Sequence, residues 1–259
     1  MSKLFKLNIT LIIALGLCYY LQSPWYIWIL CLLVYTAIIA YAAANIQFNF
    51  FIKAINFKQN PSEKTICITF DDGPDPIYTP QILNILEEAG VKASFFLIGK
   101  KIANQEALVK QMHNSGHLLG NHSFYHTNTF MMQPKNTIAN EIKQTNEAIY
   151  KATGRYPLVF RPPFGVTNPR IAGAISLLKL HVLGWNVRSL DTKNEEPEIT
   201  LQRIIKKCKP GSVVLLHDTM ANTPEVLRKF LLFLSEHQYK VVLPNAMFNI
   251  NRYREDENH

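Results

Sequence analysis

Five short polar clusters in this chain combine side chains able to hold a metal ion and to move protons. They are TFDDGP (Thr69 to Pro74), HSFYH (His122 to His126), RPPFG (Arg161 to Gly165), Asp191 after WNVRSL, and LLHD (Leu215 to Asp218). Asp71 and Asp72 are adjacent carboxylates, costly to bring together unless positive charge offsets them, and a metal ion or an arginine would do so. His122 and His126 are four positions apart, a spacing that places both imidazoles on one side of a helical turn, where they can ligate one ion. Two histidines and one carboxylate leave coordination positions open, the pattern of a catalytic rather than a structural metal. Arg161 could pair with an aspartate and hold it ionised, or be an ordinary surface charge. His217 ends a wholly apolar run, and an imidazole titrates near neutrality, so it suits a general acid. A carboxylate such as Asp191 nearby would favour its protonated form. Asp218 reads equally well as a turn or cap residue.

Each cluster follows a stretch that reads as a strand, and this decides the fold expectation. Strands are expected at Ile66 to Phe70, Ala93 to Ile98, Leu118 to Gly120, Val159 to Arg161, Val182 to Val187, Val213 to Leu216 and Val241 to Leu243. Helical patterns alternate with them, which argues for an α/β fold on a mainly parallel sheet, and seven strands suggest a closed or nearly closed barrel. A barrel gathers the C-terminal ends of its strands on one face, so distant clusters can meet there. Thr79-Pro80 and Thr223-Pro224 are expected to open helices with a capping hydroxyl, and Gly90 and Gly154 to close them.

In this order the clusters resemble the polysaccharide deacetylase family (NodB homology domain, carbohydrate esterase family 4) over about Ile66 to Leu243. The resemblance implies an α/β fold of the distorted (β/α)7 barrel type and a role for each matching residue. Asp71 would be the general base and Asp72 the metal ligand beside His122 and His126. Arg161 would orient the base, His217 would be the general acid, and Asp191 would tune it. The backbone N–H of Phe164 would serve the oxyanion, with Pro163 and Trp185 lining the substrate site. Arg188 stands where many members have an aspartate and Thr192 where they have a second tryptophan, so the wall of the acyl pocket departs from the usual pattern. Zinc is the first choice for such a donor set, with Co2+ or Mn2+ as alternatives.

The N-terminal portion has another composition. Leu7 to Leu21 and Pro24 to Ala44 carry no charge, and a membrane span needs about 20 apolar residues. Trp25, Tyr26 and Trp28 sit like an interfacial belt. The reading is two spans, about 7–21 and 24–44, joined tightly at Gln22 to Pro24 in a membrane anchor of residues 1–50. A single signal-anchor span is the alternative, since Lys3 and Lys6 also suit a signal peptide's basic start. A linker is expected at 51–64, a catalytic domain at 65–250 and a polar tail at 251–259. Basic residues flank both ends of the hairpin, which leaves the side of a bacterial-type cytoplasmic membrane occupied by the domain open.

The net charge of +8 comes without a run of five basic residues, so nucleic acid is not an expected partner. The four cysteines have no CxxC spacing and predict neither a disulfide framework nor a thiolate metal site. The functional expectation is a metal-dependent hydrolase that removes N-acyl groups, above all N-acetyl, from the amino sugars of a cell-envelope polysaccharide or peptidoglycan. The alternatives are a deacylase of a lipid-linked amino sugar and a membrane-anchored glycan-binding protein with an inactive site.

Overall fold

The computed structural model describes residues 2–254. Helices α1 (Lys3–Tyr20) and α2 (Trp25–Ala44) form an N-terminal antiparallel pair, long and apolar enough to cross a membrane, with mean hydropathy 1.4 and 2.3. A 9-stranded, all-parallel sheet follows, from strands β1 (Ala54–Ile55), β2 (Thr65–Asp71), β3 (Ser94–Leu97), β4 (Leu118–Asn121), β5 (Val159–Phe160), β6 (His181–Leu183), β7 (Val187–Arg188), β8 (Val213–His217) and β9 (Lys240–Val241). Its order is β1-β6-β5-β4-β3-β2-β8-β7, with β9 also on β2. The sheet curls into a half-barrel, and α3 (Tyr78–Glu88), α4 (Gly99–Ile102), α5 (Glu106–Asn114), α6 (Lys135–Thr153), α7 (Pro169–Leu178), α8 (Pro197–Lys207) and α9 (Thr223–Glu236) connect its strands, with α10 (Pro244–Phe248) after β9.

Strand β2 shows how alternation positions the chemistry, because successive side chains point to opposite faces. Ile66, Ile68 and Phe70 pack into one buried cluster with Ile82 and Leu86 of α3 and Val226 and Phe230 of α9. Cys67 points the other way, into the second cluster with Phe96, Val213 and Leu215. Thr69 and Asp71 continue that inner row. On β8 the same period puts Val214 and Leu216 outside and Val213 and Leu215 inside, and brings His217 to the row's end opposite Asp71.

Several expectations need correction. The single strand Val182 to Val187 is two, β6 and β7. The chain crosses between them because the Asn186 side chain bonds Val213 N and Ser212 Oγ, tying the crossover to the start of β8. The expected linker 51–64 instead supplies β1, which pairs with β6, and a bridge from Phe57 to Ser212. Thr79 and Thr223 lie inside the first turns of α3 and α9 rather than capping them. The Thr79 hydroxyl accepts from Asp75 N and donates to Asp218, and the Thr223 hydroxyl donates to Asp191. Of the expected tail, Tyr253 and Arg254 pair with Pro157 and Tyr156, and 255–259 lie outside the described residues. Gly154 closes α6 in the left-handed conformation, as its sequence position predicts.

Candidate active site

Asp71 stands at the end of β2, and across the barrel Arg161 follows β5. Arg161 Nη1 donates to Asp71 Oδ1 at 2.6 Å and to Thr69 Oγ1 at 2.9 Å. Its Nε and Nη2 donate to the carbonyls of Leu183 and Gly184, and its guanidinium lies over the Phe96 ring at 4.1 Å. Burial lowers the guanidinium's pKa and Asp71 works against that. The surface-charge alternative is excluded, because Arg161 is fully buried. With Oδ1 engaged, Asp71 keeps Oδ2 for the site, 3.7 Å from His122 Nε2.

Asp72 Oδ1 lies 3.5 Å from His122 Nε2 and 3.4 Å from His126 Nε2. The three donor atoms fall within 4.8 Å of one another. Asp72 Oδ1 is buried with no hydrogen-bond partner among the described residues. A buried, unsatisfied carboxylate oxygen is costly in a folded protein, and a cation at this point would satisfy it. The donor set therefore fits a divalent ion. His122 Nδ1 bonds the Arg161 carbonyl at 2.8 Å, which leaves Nε2 as its ligand atom and fixes the ring, as an outer partner does for a ligating histidine. Burial pushes His126 down to about 4, so the imidazole is neutral, the ligating form. The expected helical turn between the two histidines is absent. Residues 122–126 form a loop with Ser123 and His126 at positive φ (65° and 52°), and the rings converge through those left-handed positions.

Opposite this triad, His217 Nδ1 meets Asp191 Oδ1 at 2.7 Å, and His217 N donates to Asp191 Oδ2 at 2.7 Å. Ser189 Oγ, Thr192 N and Thr223 Oγ1 also donate to Asp191. Burial would lower the His217 pKa, but the bond to Asp191 and its charge outweigh that and raise it to about 9. Burial alone would raise Asp191, yet His217 holds it below the usual carboxylate range.

The rim is formed by Pro163 and Phe164. Phe164 takes φ 59° and its ring lies 4.7 Å from that of His126. Trp185 is buried beneath, and a Cβ on Gly165 would come within 2.4 Å of it. All ten expected site residues thus gather at one end of the sheet. The residues that sequence reasoning missed are the supporting hydroxyls, Thr69, Ser189 and Thr223. Only Thr69 left a signal, a polar residue on the inner row of a core strand. Asp218 is buried, with Thr79 on one oxygen, and burial pushes it up to about 7.

Comparisons with known proteins agree with this geometry. The family model described as polysaccharide deacetylase matches residues 58–183. A peptidoglycan N-acetylglucosamine deacetylase of Listeria monocytogenes is 30% identical over 209 residues, 80% of this chain and 44% of its own length. This chain therefore spans less than half of that relative. A peptidoglycan N-acetylmuramic acid deacetylase of Bacillus subtilis is 33% identical over 184 residues, 70% of each chain. Among solved structures, a peptidoglycan N-acetylglucosamine deacetylase bound to 4-naphthalen-1-yl-N-oxidanyl-benzamide superposes with TM-score 0.73 at 29% identity, covering 78% of this chain and 94% of that one. A family 4 pseudoenzyme from Bacillus anthracis does so with TM-score 0.66 at 31% identity, covering 70% and 64%.

Proposed function

Because this chain belongs to the polysaccharide deacetylase family, we propose that it is a metal-dependent hydrolase of N-acylated, foremost N-acetylated, amino sugars in a cell-envelope glycan such as peptidoglycan. The observation that carries the reading is the orphaned Asp72 Oδ1, faced by two imidazole nitrogens and flanked by the Asp71–Arg161 and Asp191–His217 pairs. Two imidazoles and a carboxylate suit zinc best, and Co2+ or Mn2+ are compatible with the same donors. A divalent ion held by Asp72, His122 and His126 would supply Lewis acidity to the acyl oxygen and acidify water.

The chain's own residues do the rest. Asp71 Oδ2 takes a proton from the water whose oxygen bonds to the acyl carbon. Arg161 keeps Asp71 ionised and oriented. Charge that develops on the acyl oxygen is met by the Phe164 N–H, and one such donor is worth about 3–4 kcal/mol. His217 has Nδ1 committed to Asp191, so Nε2 is its proton donor. It protonates the amine nitrogen as the C–N bond breaks, and a carboxylate and a free amine leave. Trp185 and Pro163 line the acyl side of the pocket. The glycan-binding reading is disfavoured because both proton-transfer pairs and the donor triad are intact.

We further assign residues 1–50 to a membrane anchor and 65–250, together with the 51–64 segment that supplies β1, to the hydrolase domain. The two-span form is supported by Lys3 Nζ, which bonds the carbonyls of Phe48 and Asn49 and so brings the start of α1 to the end of α2. The test of function is mass spectrometry of N-acetylglucosamine oligomers and peptidoglycan fragments after incubation with the zinc-loaded full chain. Products with free amines, matched by released acetate, are expected. Intact substrates with a folded, metal-loaded protein would overturn the reading.

A further inference from the structure

The end of the second apolar helix is built into the rim of the site. Thr167 N donates to the Ala43 carbonyl at 2.9 Å, its hydroxyl donates to the Ala42 carbonyl, and Ala42 is fully buried there. The rest of α2 is covered only by α1, with Trp25, Leu33 and Tyr41 among its exposed residues. Thr167 is three positions after Phe164, and three residues reach at most about 11 Å. The Phe164 ring in turn touches His126.

The chain leaving α2 does not act as a free tether. Asn56 Nδ2 bonds the carbonyls of Ile46 and Ala54, and β1 completes the sheet edge beside β6. At Gly184 a Cβ would lie 1.9 Å from Asn56 Oδ1 and 3.3 Å from Ile46 Cδ1, so this segment is packed without slack. An aromatic group marks the same exit: Tyr41 against Phe48, Phe48 stacked on Phe50, and Phe50 against Phe51, with Lys3 over Phe48. Tyr41 is of the type that favours the membrane–water interface, and the three phenylalanines add apolar surface beside it. Lys135 and Arg170, at the starts of the helices that follow β4 and β5, are exposed, a charge that suits anionic headgroups or a diphosphate. Met132, at 68% exposure, lies on the same side, with its carbonyl held by Arg170.

We propose that this rigid exit holds the rim of the site at the bilayer surface, and that the substrate is an N-acylated amino sugar carried on a lipid. The inference rests on the hydrolase and anchor readings above. A headgroup layer is only about 5–7 Å deep on each side, so a site one loop from the helix end meets sugars attached directly to lipid before it meets polymer farther out. The exposed Phe164 and Met132 then lie toward the membrane, and the basic residues toward the lipid's phosphates.

The test uses the full chain in vesicles of phosphatidylethanolamine and phosphatidylglycerol. Two substrates are compared: polyprenyl-diphosphate-linked N-acetylglucosamine in the vesicles and chitotetraose in the buffer. A variant carries a flexible Gly/Ser insertion of about 12 residues between Tyr41 and Ala42, which leaves Ala42 and Ala43 on Thr167 but uncouples the rim from the rest of the helix. Wild type should deacetylate the lipid-linked sugar at least about tenfold more efficiently, and the variant should lose about tenfold on that substrate alone, as expected for a lost gain in effective concentration. Retained turnover of chitotetraose by the variant reports an intact fold. Equal use of both substrates by wild type, or an unchanged lipid-linked rate in the variant, would overturn the proposal. Failure of wild type on both substrates would sink the hydrolase reading itself, and release of the chain by carbonate would sink the anchor.

Discussion

Arg161 gives its hydrogen bonds to Asp71, Thr69 and two carbonyls at zero exposure, so its loss strands a buried carboxylate. Breaking a buried pair by removing one partner costs about 3–5 kcal/mol, and Arg161→Ala should lower stability by that order in urea unfolding. An unchanged midpoint would mean that Asp71 finds water or another partner. The His217–Asp191 pair gives a pH signature. A group whose pKa is raised in the folded state stabilises fully below its unfolded value, near 6.5 for histidine, and loses that contribution as pH rises through the folded value, about 9 here. Metal-free protein should therefore lose stability between those limits, by up to about 3 kcal/mol. His217→Asn should flatten the loss, and an equally steep loss in the variant would assign it elsewhere. In the active enzyme Asp191→Asn should move the alkaline limb of kcat/KM to lower pH, because the imidazolium loses its anionic partner. A stationary limb would exclude His217 as the acid.

At the scale of elements, the site is made by strand ends and by the turns that follow them. Gly165 takes φ 68° and leaves no room for a Cβ beside Trp185. Gly165→Ala should then cost about 1–3 kcal/mol from strain and overpacking together and should depress kcat by shifting Phe164, as thermal unfolding and steady-state rates would report. A variant with wild-type stability would show that the loop has more slack than its packing implies. The same scale explains what the sequence made legible. Strand β2 was readable from its alternation and β3 and β8 from their continuous apolar runs, the pattern of strands buried on both faces, and the polar residues that end β2 and β8 named the site. β1 was not, since two residues of edge strand carry no periodicity and the polar stretch from Lys58 to Lys64 that follows resembles a linker. The split between β6 and β7 depends on side-chain bonds of Asn186 to a strand distant in sequence. The convergence of His122 and His126 was foreseen, but by a helical turn that Ser123 and His126 replace with left-handed backbone.

For the whole molecule, the segment between helix α2 and the sheet belongs to the sheet domain as much as to the apolar helix pair. A chain starting at residue 45 should unfold at a higher temperature than one starting at 57, because the latter lacks β1 and Asn56 and bares the edge of β6. Equal unfolding temperatures would return residues 45–56 to the status of a linker. The central claim is that one end of the half-barrel is a metal-dependent hydrolytic site in which Asp71 moves the proton and Asp72, His122 and His126 hold the ion. Its most direct test is to measure bound zinc and deacetylation on the same samples of wild type, Asp71→Asn and Asp72→Ala. The prediction is one bound ion with turnover in wild type, one bound ion with turnover lowered about 10²–10⁴-fold in Asp71→Asn, and neither ion nor turnover in Asp72→Ala. Full turnover in Asp71→Asn, or in zinc-free Asp72→Ala, would contradict it.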